Sequence, residues 1–295
     1  MRISTHFKPI SEEYLQYSTG NIHLTPSAQH PQEDYLLVSK KFPIFVVADG
    51  VTLERNEQGE YPTTSGAAEI AQVFCHAVIK AAEEKYETFV ESDLKEIFSI
   101  ANKAAEQVNI AHGRVQGALN YWDIDLFAAT TAFALIKDER LYWWTLCDAG
   151  IAVFDAQQYR IYSSPLAWPR ERREKYLLSD VTLRNVEPPE RRKRIRRLYR
   201  NGLGLQGELI GYGVVTGEPA AEQYLEVGSL ILNEGDTVIA YTDGFEHYLS
   251  LPTFVEKFLA WTDGTLEEPE MVAQRVIKED PVRYGQERSL IAVQI

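Results

Sequence analysis

Two Asp-Gly pairs, Asp49-Gly50 and Asp243-Gly244, each close a strongly apolar, β-branched run, at positions 42–48 and 236–242. Length, β-branched content and the terminal glycine make both runs short buried strands. A carboxylate at the end of a buried strand is held rigidly while its oxygens still face solvent. A glycine directly after it lets the backbone approach a cation, so that the Gly50 carbonyl can serve as a ligand. Donors of this kind suit hard, oxygen-binding divalent ions. One Asp-Gly is ordinary turn chemistry. Two at matched strand ends, with further acids in register, argue for a shared site.

Those further acids have recognisable places. Glu33-Asp34 stands just before a strand at 35–38 that should form a hairpin with the run ending at Asp49. Asp148 ends a Tyr-Trp-Trp strand and is followed by Ala149-Gly150, and Gln286-Glu287 precedes a closing strand at 289–295. Several carboxylates at one sheet end repel each other strongly unless a divalent ion neutralises them. The candidate metal set is therefore Glu33, Asp34, Asp49, Gly50, Asp148, Asp243 and Glu287.

The elements that must position this set follow from periodicity. Thr63, Thr64 and Ser65 offer N-caps to a helix reaching about position 84, with Ile70, Phe74, Val78 and Ala81 as its apolar stripe. Asp93 and Glu96 have the spacing of a capping box opening a second helix, whose inward stripe is Ile97, Ala101, Ala104, Val108 and Ala111. Three β-like runs follow at 131–136, 141–147 and 151–154, with a fourth candidate at 157–162. Their short turns argue for antiparallel hairpins. A basic helix is expected over 191–198, strands over 230–232 and 237–241, helices over 254–261 and 269–278, and the last strand closes the chain. Helices grouped beside antiparallel strands indicate an α+β layered domain. Trp143 and Trp144 read as core, one ring on each face of a sheet.

At 295 residues the chain can bury a full core, and its composition is that of an ordinary globular protein. No stretch has the length and apolarity of a membrane span, and the first residues do not resemble a signal peptide. Cys75 and Cys147 lie in apolar surroundings without metal-ligand spacing and read as core filler. A cytoplasmic monomer with no membrane partner is the expectation. The net charge is −13, yet residues 168–200 carry twelve Lys/Arg against five Asp/Glu, so the remainder is at −20. This basic segment is either packed against the acidic body or forms a cationic lip for an anionic substrate. A nucleic-acid partner is disfavoured, because the acidic remainder repels a polyanion and aromatics are not interleaved for base stacking.

In this order the motifs resemble the metal-dependent protein phosphatases of type 2C. Glu33-Asp34 and Val-Val-Ala-Asp49-Gly50 are similar to that family's opening motifs, and Thr130-Thr131-Ala132 with the strand ending at Asp148 to its middle ones. The segment ending Tyr241-Thr242-Asp243-Gly244 resembles its later Asp-Gly motif, and the closing strand its last one. The resemblance spans nearly the whole chain, taken as a single domain over 1–295 with residues 165–210 as a basic flap. It implies an αββα sandwich, two antiparallel β-sheets flanked by helices. It also implies two Mn2+ or Mg2+ ions bridged by water, with a third, weaker ion near Asp148. By resemblance Asp49 bridges both ions, Asp243 binds one, and Glu33 acts through a bound water, so that Asp49 and Asp243 carry catalysis on a phosphorylated protein substrate. Arg194 and Arg197 on the basic helix, and the loop residue His30, are candidate substrate contacts. The chain has Gln29 where the family carries a phosphate-gripping arginine, and Gln286, next to Glu287, where it carries the last aspartate. Two other activities stay open on residues alone: a regulator that binds phosphorylated partners, and a phosphatase of a small metabolite.

Overall fold

A computed structural model describes residues 2–8, 32–51, 65–115, 125–154, 159–161, 188–260 and 267–295. Ten strands form two antiparallel sheets among the described residues. The first sheet contains β1 (Arg2–Lys8), β10 (Arg288–Gln294), β9 (Thr237–Tyr241), β6 (Gly150–Phe154) and β7 (Tyr159–Ile161), in that order. The second contains β2 (Tyr35–Val38), β3 (Ile44–Gly50), β4 (Ala129–Lys137), β5 (Arg140–Leu146) and β8 (Glu226–Ile231).

Strand alternation divides each sequence between two cores. In β3, Phe45 and Val47 enter the layer between the sheets, where they meet Ile151, Val238, Ala240 and Ile291. Ile44, Val46 and Ala48 face the other way, against helices α1 (Gly66–Lys85) and α2 (Asp93–Ala111). The first sheet likewise turns Ile239, Tyr241, Leu290 and Ala292 toward a third cluster. That cluster is covered by α4 (Glu246–Leu249), α5 (Pro252–Leu259), α6 (Glu267–Glu279) and α7 (Pro281–Tyr284). The result is helix, sheet, sheet, helix, the expected αββα sandwich. Trp144 stacks on Phe133 on the helical side, with ring centroids 4.0 Å apart, while Trp143 packs toward the inter-sheet core.

Local expectations fare unevenly. Ser65 is the N-cap of α1 and accepts the Ala67 and Ala68 N–H groups at 3.2 and 3.3 Å. The capping box of α2 does not form. Ser92 is the N-cap and makes no side-chain cap bond, Asp93 reaches back to the Val90 N–H at 2.9 Å, and Glu96 pairs with Lys85. The α2 stripe is carried by Phe98 and Ala105 as well, whereas Ala111 is exposed. The β4–β5 hairpin turns at Asp138 and Glu139, both with φ near +55 (51° and 59°), as a two-residue hairpin turn requires. β1, which has no apolar core of its own, completes its sheet by pairing along the whole of β10. The basic helix is α3 (Pro188–Tyr199); positions 165–187 lie outside the described residues.

Candidate metal centre

The hydrophobic cores end the strands together, and the ends carry acids. β2 and β3 pair so that Tyr35 faces Ala48, which puts Glu33 and Asp34 beside Asp49. The Gly50 N–H donates to the Glu33 carbonyl at 3.1 Å, closing this hairpin end. From the other sheet, Thr242 and Ser289 tie the end of β9 to the start of β10: the Thr242 N–H donates to the Ser289 carbonyl at 3.0 Å, and the Ser289 N–H to Thr242 Oγ1 at 2.9 Å. Thr242 Oγ1 then donates to Asp34 Oδ2 at 2.8 Å, joining the two sheets across the site. Asp243 follows in a 3₁₀ turn, and Asp148 sits in the β5–β6 turn, where Cys147 has φ of 67°.

Electrostatics report that these acids converge. Asp49 is pushed well above the usual carboxylate range by burial and by the charges of Asp34, Asp243, Asp148 and Glu287. Asp243 is raised in the same direction by burial, Asp148, Asp34 and Glu246. Burial lifts Asp34 to about 7, helped by Glu287, while bonds from Thr242, Ser289 and Asp49 pull the other way. Burial also lifts Glu33 to about 8, although the Ser65 hydroxyl bonds its carboxylate. Like-charged carboxylates packed this closely repel one another, and a cation or bound protons would relieve that repulsion.

The expected ligands do not all stand alike. Glu287, also expected among them, accepts from the Asp34 N–H at 2.8 Å and from Gln32 Nε2 at 2.8 Å through Oε1, and both its oxygens accept from the Glu33 N–H at 3.0 and 3.1 Å. Gln286 beside it is half-buried. Among the described residues, no three His, Cys, Asp or Glu side chains are drawn into an arrangement ready to hold a metal ion. The donor set nevertheless fits a hard divalent ion, since the converging carboxylates and the Gly50 carbonyl all offer oxygen. Asp34, Asp49, Asp148 and Asp243, with the Gly50 carbonyl, are the groups suited to hold it.

His247 sets its ring edge-on to Tyr284, centroids 6.2 Å apart. His30 and Gln29 lie outside the described residues. Arg194 is half-buried and Arg197 exposed on α3. Glu246, missed in the sequence because nothing marks an acid three residues after an Asp-Gly, contributes charge beside Asp243. Asp125 and Arg196 were missed too, because their meeting depends on tertiary contact. Both cysteines are free thiols, Cys75 in the core and Cys147 beside Asp148.

Comparison with known proteins agrees with this architecture. Residues 20–278 match the protein phosphatase 2C family, and the chain belongs to that family. The class is that of the metal-dependent serine/threonine protein phosphatases. The fold is similar to the serine/threonine phosphatase PstP/Ppp of Mycobacterium tuberculosis, with TM-score 0.59 at 12% identity over 99% of this chain and 98% of that one. It is similar to the catalytic domain of PstP in complex with two manganese ions, with TM-score 0.55 at 14% identity over 99% and 96% of the two chains. It is also similar to the photosystem II phosphatase PBCP, with TM-score 0.56 at 14% identity over 100% and 98%. No curated protein matches the sequence significantly.

Proposed function

We propose that this chain hydrolyses phosphoserine and phosphothreonine esters of proteins at the acidic centre, with Asp49 and Asp243 as its essential side chains. The observation that carries the assignment is the meeting of buried acids from both sheets at one end, with Thr242, next to Asp243, hydrogen-bonded to Asp34 beside Asp49. When bound by these residues, two Mn2+ or Mg2+ ions would lower the pKa of water and neutralise phosphoryl oxygens. The chain's own residues do the positioning. Asp49, Asp34, Asp148 and Asp243 with the Gly50 carbonyl hold the cations. Thr242 orients Asp34. Ser65 orients Glu33, which would act through a bound water. Glu287 holds the Glu33 and Asp34 backbone in place rather than supplying a ligand.

The domain is read as continuous over 1–295, with 165–210 as a flap whose Arg194 and Arg197 meet the substrate. His30 is kept as a further candidate substrate contact. The free thiols favour a reducing, cytoplasmic setting, and among the described residues no helix is long and apolar enough to cross a membrane. Turnover of p-nitrophenyl phosphate and of a phosphothreonine peptide, with Mn2+ and with chelator, tests the activity. Release that requires Mn2+ is expected; a folded protein inert on both substrates at every Mn2+ concentration contradicts it.

A further inference from the structure

Asp125 stands just before β4 and takes two cations from the end of helix α3. Arg200 Nη2 lies 2.6 Å from Asp125 Oδ1, and Arg196 Nη1 lies 3.1 Å from Oδ2. The Arg200 side chain is only 3% exposed and also donates to the Leu126 carbonyl at 3.4 Å. From the opposite side, Arg114 donates to the Asp125 carbonyl while its guanidinium lies 3.7 Å from the centroid of the Phe127 ring. Arg196 Nη2 reaches the Val51 carbonyl at 3.4 Å. Val51 directly follows the Asp49-Gly50 corner, and its N–H donates to the Ala128 carbonyl at 3.0 Å. One carboxylate thus fastens the basic helix to both backbone segments beside the first acidic corner.

The energetics favour a geometric role. Surface ion pairs contribute little, and a buried one repays its desolvation only when well paired, so its usefulness lies in fixing an arrangement. Burial opposes the Arg200 charge, but Asp125, Tyr212 and Glu218 more than offset it. The same helix carries Arg197 outward.

We infer that Asp125 is a positioning residue that, through Arg196 and Arg200, latches helix α3 to the rim of the acidic centre and so fixes where Arg197 meets a phosphoprotein. This rests on the phosphatase reading and adds the residue that sets preference for an extended, phosphorylated peptide over a small aryl phosphate. A small ester is expected to depend on the acidic centre alone, whereas a peptide carries residues beyond its phosphate that extend toward α3.

The test compares full-length wild type with Asp125→Asn, Arg196→Gln and Arg196→Lys, all with Mn2+, on a phosphothreonine peptide and on p-nitrophenyl phosphate. Tryptic cuts within Pro188–Tyr199 are followed in parallel by mass spectrometry. For Asp125→Asn and Arg196→Gln we expect the peptide KM to rise about five- to tenfold while kcat on the aryl phosphate stays within about twofold. We also expect Arg196→Lys to recover part of the loss and cuts in α3 to accelerate in Asp125→Asn. Unchanged peptide KM and unchanged cutting overturn the latch. Equal losses on both substrates also overturn it, because they mark general damage. If Asp125→Asn does not fold, Arg196→Gln, whose side chain is 25% exposed, carries the same comparison. If wild type itself lacks Mn2+-dependent turnover, the phosphatase reading falls, and the cutting rates alone then judge the latch.

Discussion

At the scale of single residues, the site is a group of carboxyls that burial would rather keep protonated. Glu33 sits at about 8 and Asp34 at about 7, against ordinary values of 4.5 and 3.8, with burial as the leading cause. The folded chain therefore binds protons that the unfolded chain has released by neutral pH. Their stabilising contribution is complete below about pH 4 and disappears as pH rises through the folded values. Metal-free protein should accordingly lose several degrees of Tm between about pH 5 and 8, and Mn2+ should flatten the slope. Thermal melts across that range check this, and a flat metal-free profile speaks against it. Asp49→Asn or Asp243→Asn should lower kcat at least about a hundredfold. Each should leave metal-free Tm at pH 7 unchanged or higher, since a neutral amide replaces a charge that burial opposes. Steady-state kinetics beside melts tests both halves; near-normal turnover in both variants removes these residues from catalysis.

At the scale of elements, the decisive contact is the clamp between the start of β10 and the start of β2. Glu287 accepts the Glu33 and Asp34 N–H groups, and Gly244 packs so closely beneath it that an added Cβ would come within 1.9 Å of the Glu287 carbonyl. Gly244→Ala should therefore push β10's leading segment aside, costing about 1–3 kcal/mol and weakening Mn2+ binding together. Denaturant titration and calorimetry check it, and a variant as stable as wild type contradicts it. Glu287→Ala distinguishes a clamp from a ligand: a clamp costs about 1–3 kcal/mol even without metal, because buried N–H groups lose their acceptor. A pure ligand would cost Mn2+ affinity alone. At this scale the sequence was partly readable. The Asp49 and Asp243 corners announce themselves because β-branched runs and a glycine are local signals. The clamp does not, because Glu287 and Glu33 are 254 positions apart and the register of β10 decides which acid meets which amide. The capping box failed for a related reason: Glu96 found Lys85 on the preceding helix, a partner no local pattern names.

At the scale of the whole molecule, two sheets bury their inner faces against each other and bring the strand ends that carry Asp34, Asp49, Asp148 and Asp243 to one place. The sandwich was legible in the grouping of helices beside short-turned strands, and in alternation such as Phe45 and Val47 against Ile44 and Val46. β1 was not, since Arg2–Lys8 mixes polar and apolar residues and is defined only by its partner β10. The charge asymmetry was legible as a choice between two readings, and the described residues show part of the basic segment packed against the acidic body. Arg196 and Arg200 turn inward to Asp125, while Arg197 faces outward. Calorimetric titration of purified, metal-free protein with Mn2+ tests the central claim most directly. Saturable binding of about two ions per chain is predicted, greatly weakened in Asp49→Asn while that variant stays folded. No binding by folded wild type, or identical binding by the variant, would contradict the account.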